Sequence, residues 1–520
     1  MKRNILKVIG ISFLVFFVLS WVIPTGTYSG GKLTTNSISP VGLIDLFNKP
    51  MSAIVTFALY GVVFTVIGGF YGVVEKIGVL DKITTNWSKA FEKNANKFVI
   101  FTIVLFTLLS SLTGLIIPLF VLVPLFAATL FKLRYDKVTV LASTVGAIMV
   151  GSIGSTYGFN ITGYTKNLLS LDMNNQIWAR IILLILLTVL LCVIVIKSSK
   201  RKEVKESVSE IKNSKNEIKK VSNTKKSSVN ETKKTSKKTS ENGTKKNSKK
   251  SGKKSNTKNM AVSKPVKKVS DKKHVKTTLF TIIFILMLIV TFVGMYNWYY
   301  SFNIGLFNDI HEAVMKVKIS DFAIFESLLS GASQFGYWSN LEFAGLLVFT
   351  SMVIALFYKL SVNEYVESFI SGMKKWMPTA IYVCLANVIL VVLYQAMQTG
   401  TGTLVDTING TLFKMTDGFN PVITALATFV SSFFYNDLYY LLASMSAYTT
   451  GFAKGDLKVA GVLIQSIYAS AMLILPVSTT LIAGLSIFDV SYKKWIKYIW
   501  KFALIAILIV MILCGVLTLM

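Results

Sequence analysis

A chain of 520 residues that is 53% hydrophobic and carries a formal charge of +30 is too apolar for a soluble globular protein of that length. The charge would suit a nucleic-acid binder, but its placement excludes that class. Residues 197–276 hold 28 of the 55 Lys and Arg, with only seven acids and no aromatic residue. Such a segment has no stacking platform for bases and too little apolar surface to fold. It is expected to be a disordered, solvated loop, and no specific nucleic-acid partner is expected.

Lys2 and Arg3 precede a continuous apolar run at 5–24, long enough to cross a hydrocarbon core of about 30 Å. The run is too long for a signal peptide and is followed by no A-x-A-like cleavage site, so a retained first helix is expected. Continuous rather than alternating runs exclude a β-barrel. Further spans are expected at 53–74, 138–159 and 177–197. Segment 98–133 is too long for one pass. Ser110-Ser111-Leu112-Thr113-Gly114 interrupts it at the middle, which describes a re-entrant hairpin with a polar tip. The run 138–159 loses its apolar character in "GSIGSTYGFN" (151–160).

The Lys-rich loop and the N-terminus are placed in the cytoplasm by the positive-inside rule. The second half then repeats the plan: a linking helix at 279–298, an external segment at 299–340, and helices at 341–359 and 377–395. A second broken segment follows at 420–452, then a run at 457–488 broken at "PVSTT" (476–480), then a last helix at 496–518. Ser111 to Asp136 spans 25 residues and Ser432 to Asp456 spans 24; Asp136 to Ser155 spans 19 and Asp456 to Ser478 spans 22. Counting passes puts "KLRYDK" (132–137) inside and "KGDLK" (454–458) outside, so the halves are expected to be inverted.

The expected fold is an all-α polytopic membrane protein with about 11 transmembrane helices and two hairpins. It comprises two inverted-topology repeats, each with a re-entrant hairpin and a broken helix. Its parts are a first repeat (1–197), the Lys-rich loop (198–276), a linking helix with external segment (277–340) and a second repeat (341–520). A bacterial-type plasma membrane is the expected location.

Unwound helices expose carbonyls that coordinate Na⁺, and half-helix N-termini offer N–H groups to anions. The candidate substrate ligands are Ser111, Thr113, Ser155, Thr156, Asn160, Ser432, Asn436, Ser478 and Thr479. Ser110, Gly154, Asp437 and Thr480 are candidates for holding a cation or carrying a proton. Asp437 stands out as a carboxylate at membrane depth, where such groups are costly. The competing reading is that small polar residues only allow close helix packing, and Ala142, Ser143, Gly146 and Ala147 are assigned to packing. Cys192, Cys384 and Cys514 have no metal-ligand spacing, and His274 and His311 lie outside the apolar runs. No P-loop and no acid/base or nucleophile set occurs, so an enzyme is not expected. Na⁺ as a coupling ion is the one metal considered, and no cofactor is implied.

Several stretches resemble YfcC-family membrane proteins, relatives of the DcuC-type four-carbon dicarboxylate carriers of the ion transporter superfamily. These are "GGFYGVVEKIGVLDKI" (68–83), "VESFISGMKKWMPTAIYVCLANVILVVL" (366–393) with "GTLVDTI" (402–408), and "PVSTTLIAGLSIFDVSYKKWIKYIW" (476–500). The resemblance implies inverted repeats and cation-coupled carriage of a small carboxylate or amino acid, with hairpin tips and helix breaks forming the sites. The chain departs from that family's pattern in the apolar "GLIIP" (114–118) after the first tip and in Asn387, where the pattern has arginine.

The sequence therefore points to a secondary active transporter of a small organic anion or amino acid, coupled to Na⁺ or H⁺ and working by alternating access. Its partners are a small-molecule substrate, the lipid bilayer and, as an open alternative, a second copy in a homodimer. A different class is a non-transporting membrane scaffold whose basic loop recruits an acidic partner. Deletion of residues 203–270 separates the two: a transporter keeps its substrate flux, measured in proteoliposomes, whereas a scaffold loses its function.

Overall fold

The computed structural model describes residues 2–29, 32–199, 277–319, 322–329, 331–400 and 402–520. The expected disordered loop lies outside these residues from 200 onward. Among the described residues, seven helices are long and apolar enough to cross a membrane, or eight when one bent pair is taken as a single span.

The first half opens with α1 (Lys2–Val22), then a two-stranded antiparallel ribbon of β1 (Gly26–Ser29) and β2 (Lys32–Thr35). A second such ribbon joins β3 (Lys318–Ile319) to β4 (Phe322–Ala323). These ribbons are absent from the all-helical expectation; both lie in short polar connections between helices. Next come α2 (Asp45–Thr56), α3 (Ala58–Lys76) and α4 (Val79–Ala90).

The segment expected to form the first hairpin is α5 (Ala95–Thr113), α6 (Ile116–Leu119) and α7 (Val123–Lys132). Its first arm has 19 residues and is long enough for a span by itself, which corrects the expectation of two half-length arms. Gly114 ends α5 in the left-handed region (φ +67°), and its N–H bonds Ser110 O at 2.9 Å, a common helix stop. The expected broken helix is α8 (Lys137–Leu141), a π-helical turn (Ala142–Gly146), α9 (Ala147–Ile153), a break at 154–158, a second π-helical turn (Phe159–Gly163) and α10 (Tyr164–Leu168). Helix α11 (Ile177–Ser198) closes the half.

The connection to the second half is α12 (Thr277–Met295), α13 (Trp298–Phe302), α14 (Leu306–Met315) and α15 (Ile324–Leu328). Two capping boxes then start long helices: Ser339 with Glu342 begins α16 (Asn340–Phe357), and Ser361 with Glu364 begins α17 (Val362–Leu385). Each satisfies orphan N–H groups of the first turn. The chain bends by 40° into α18 (Val388–Thr399). A single straight helix at 377–395 was expected; the break at Ala386-Asn387 carries neither glycine nor proline to announce it. Helices α19 (Leu404–Phe413), α20 (Pro421–Phe434) and α21 (Leu438–Thr449) follow. Then come α22 (Lys454–Met472), α23 (Thr479–Phe488) and α24 (Tyr492–Leu519).

The tightest crossing joins α3 to α17. A Cβ on Gly72 would stand 2.2 Å from Ser368 O, and one on Gly372 would stand 2.1 Å from Gly68 O. Without a hydrophobic drive between helices in lipid, such small-residue contacts supply the dispersion that holds helices together. Gly372→Val is expected to destabilise the protein by about 1–3 kcal/mol through overpacking, lowering the melting temperature in detergent. Gly345→Ala, where nothing lies within 4 Å of the added carbon, serves as the control and should melt no lower than wild type.

Candidate functional site

A cavity of about 310 Å³ lies where the helix breaks of the two halves meet, at the small end of the range for ligand sites. From the first half it is lined by Gly114, Ser152 and Asn160; from the second by Asn436, Asp437, Ser478, Thr479 and Thr480. Asn387, at the bend between α17 and α18, joins them. Tyr60, Tyr164 and Tyr468 supply hydroxyls, and Ile116, Ile117, Met149, Met295 and Met472 an apolar wall.

The polar centre is built around Asn436, in the extended break between α20 and α21. Its Nδ2 donates to Val477 O at 2.9 Å, to Asn387 Oδ1 at 3.0 Å and to Ala386 O at 3.2 Å. Two carbonyls accept from this nitrogen, so the amide orientation is fixed; a flip would set oxygen against oxygen. Asn387 Nδ2 donates to Val383 O at 2.8 Å, which leaves its own oxygen for Asn436. Tyr468 Oη donates to Asn436 O at 2.8 Å. One amide thus ties together the break at 435–437, the bend at 386–387 and the break before α23. Its Oδ1 is buried and has no partner among the described residues.

The half-buried Asp437 caps α21, accepting from Tyr439 N at 2.9 Å. Ser478 caps α23, accepting from Leu481 N at 3.3 Å. The next two N–H groups, of Thr479 and Thr480, sit in the first turn of that helix, where no intrahelical acceptor exists. No Lys, Arg or His lines the cavity among the described residues. The site therefore offers one carboxylate and the N-terminus of a ten-residue helix against an apolar wall.

The other expected ligands do not line the cavity. Ser111, Ser155 and Thr156 close the first break instead, and the rest pack or bond within or between helices. Ser110 Oγ donates to Ile148 O at 2.7 Å, and Ser111 Oγ donates to Gly154 O at 2.8 Å. Ser111 O accepts from Thr156 N at 3.1 Å, Thr156 Oγ1 meets Ser111 Oγ at 3.1 Å, and Ser155 Oγ lies 3.5 Å from Ser111 O. Thr113 Oγ1 bonds back to Leu109 O, and Ser432 Oγ back to Thr428 O, each at 2.7 Å within its own helix. A Cβ on Gly154 would meet Leu184 N at 2.6 Å, so that residue serves a close helix approach. Asn160 lines the cavity with both ends of its amide partnered, to Gly114 O and to Tyr164 Oη, each at 3.3 Å.

Three participants were not expected from sequence. Asn387 sat inside an apparently regular helix. Tyr468 sits in an otherwise apolar run with nothing local to single it out. Arg180, in "IWARIILL", is 1% exposed and donates to Ser155 O at 3.3 Å, to Thr156 O, to Thr162 Oγ1 at 3.1 Å and to Met173 O at 2.5 Å. A basic residue at a helix start signals an interfacial anchor by default, and the rotation that turns this one inward is set by packing.

Membrane helices broken around a shared polar cavity define a secondary transporter. The family model described as "DcuC: C4-dicarboxylate anaerobic carrier" matches residues 3–241 and 237–519, and the chain belongs to this family of membrane carriers. It is thus a multi-pass carrier and not an enzyme. No curated protein matches the chain. A similar solved structure is the YdaH transporter of Alcanivorax borkumensis, at 14% identity over 99% of this chain and 97% of that one, with a TM-score of 0.34.

Asn436→Ala is expected to cost about 1–3 kcal/mol, because the carbonyls of Ala386 and Val477 lose their shared donor. Asn436→Asp is expected to be worse, since it sets a carboxylate against those carbonyls. Thermal unfolding of the two variants checks the order.

Proposed function

We propose that this carrier moves a small zwitterion with one carboxylate and one amine, an amino acid being the simplest, by cation-coupled alternating access between two inverted halves. The observation that carries the proposal is the chemistry of the cavity wall: the Asp437 carboxylate and the first turn of α23 at Thr479 and Thr480, with no cationic side chain among the described residues. A substrate carboxylate is matched by the N-terminus of α23 and its Thr479 hydroxyl. A substrate ammonium is matched by Asp437 and the tyrosine hydroxyls. The apolar side chain of the substrate faces Ile116, Ile117 and the methionines.

The family description names a C4-dicarboxylate. Two carboxylates would bring two negative charges against Asp437 with no arginine or lysine in the wall to balance them. That arrangement needs Na⁺ or H⁺ at Asp437 before substrate enters, and it is the second reading. The same requirement gives Asp437 a place in coupling: an anionic substrate group enters more readily once the carboxylate is neutralised. The N-terminus and the Lys-rich loop face the cytoplasm in this proposal, by the positive-inside rule.

A thermal-shift screen of the purified protein with amino acids and dicarboxylates, each with and without Na⁺, tests the substrate class. A ligand at 100 times its Kd stabilises the folded state by about 2.7 kcal/mol. Stabilisation by dicarboxylates alone would overturn the zwitterion. For a dicarboxylate, Asp437→Asn should lower gradient-driven uptake into proteoliposomes at least tenfold with substrate exchange retained; for a zwitterion, which loses its ammonium partner, exchange should fall as well. Wild-type accumulation in that variant would remove Asp437 from coupling.

A further inference from the structure

The two breaks reached by the hairpin tips are not equivalent. In the second, an acceptor is left unused and a carboxylate faces the cavity. In the first, every oxygen that a bound ion would need is already engaged. Ser155 O receives Thr162 Oγ1 at 3.1 Å, Arg180 Nη1 at 3.3 Å and Gln465 Nε2 at 3.4 Å. Thr156 O also receives Arg180 Nη1, and Tyr157 O receives Tyr296 Oη at 2.7 Å. Gly154 O takes Ser111 Oγ, and Ile153 O takes Ser466 Oγ at 2.8 Å.

The Arg180 guanidinium is fully buried yet makes none of the ion pairs found among the described residues. A buried charge is stable only when paired or surrounded by oriented dipoles. Its acceptors here are three backbone carbonyls and a threonine hydroxyl, all neutral oxygens, two of them from unwound backbone. That is the oxygen set by which a broken membrane helix holds a monovalent cation. Its Nε is buried without a partner among the described residues.

We propose that Arg180 is a tethered cation filling the first break, so that this half of the carrier takes no free ion and cation coupling is confined to the second break. The first clause stands on the geometry above. The second rests on the coupling role proposed for Asp437. Arg180 is on this account a positioning residue: it holds the break beside Asn160 without touching the cavity, whose lining does not include it.

Charge and hydrogen bonding are separated by two substitutions in the full-length chain. Arg180→Lys keeps the charge and Arg180→Gln keeps a neutral donor. The readout is the folded fraction after heating of detergent-solubilised membranes, which does not depend on purifying a weakened variant. Each variant is heated in NaCl, in methylguanidinium chloride and in choline chloride at equal ionic strength. Arg180→Gln should melt lower in choline and recover in methylguanidinium or Na⁺, with a saturable dose dependence. Arg180→Lys should melt above Arg180→Gln in choline and gain no such dependence. The gain in Arg180→Gln should persist when Asp437→Asn is added.

If Arg180→Gln shows no cation-dependent gain, or if Arg180→Lys melts no higher than Arg180→Gln, hydrogen bonding alone holds the break and the proposal fails. If wild type and Asp437→Asn are equally indifferent to Na⁺, the Na⁺ form of the coupling proposal fails. The Arg180 comparison is unaffected by that outcome, because it is made within the Asp437→Asn background as well.

Discussion

Inside hydrocarbon there is no water to take up a freed N–H or C=O, so a helix can unwind only where side chains replace the lost backbone partners. That constraint organises this molecule. The first break is closed by Ser111 and Arg180, the second by Asn436, Tyr492 and Trp495, and the bend at Ala386 by Asn436 as well. In each case the donor comes from a different helix. The breaks therefore fix the helices around them, and the cavity is the space left between two sets of such ties.

Within this common scheme the halves have diverged in charge. The first break is internally neutralised by a guanidinium whose acceptors are backbone dipoles. The second keeps a carboxylate on the cavity and leaves one buried amide oxygen without a partner among the described residues. A pair of equivalent breaks would give a carrier with two similar ion sites. This one has a closed half and an open half, and the apolar wall of Ile116 and Ile117 lies on the side that has no charge to offer.

Much of the fold was legible in the sequence because its signals are local. An apolar run of 20 residues spans by its own length, and Ser/Thr/Gly clusters within a longer run break it wherever they occur. The breaks near 114, 154, 436 and 478 were found in this way. The bend at Asn387 was not, because no residue there is a helix breaker and the cause is a tertiary hydrogen bond from Asn436. The site was less legible than the fold. Ser111, Ser155 and Ser432 have the same chemistry as Ser478, and only helix rotation decides which of them meets the cavity and which meets a neighbouring carbonyl. Arg180 was hidden for the same reason: position in sequence marks it as an anchor, and packing turns it inward.

The donors that close the first break differ in when they are made. Chains are synthesised from the N-terminus at about 5–20 residues per second. Gln465 and Ser466 lie 310 and 313 residues beyond their acceptors in the break. Arg180 lies only 24 and 25 residues beyond its own. For most of the time the ribosome spends on this protein, the second half does not yet exist to satisfy the carbonyls of Ile153 and Ser155. The guanidinium reaches Ser155 O and Thr156 O within one further helix. The first half thus brings its own stopgap into the bilayer, and the broken helix can persist as a break, rather than winding up as an ordinary span, until the partners from α22 arrive.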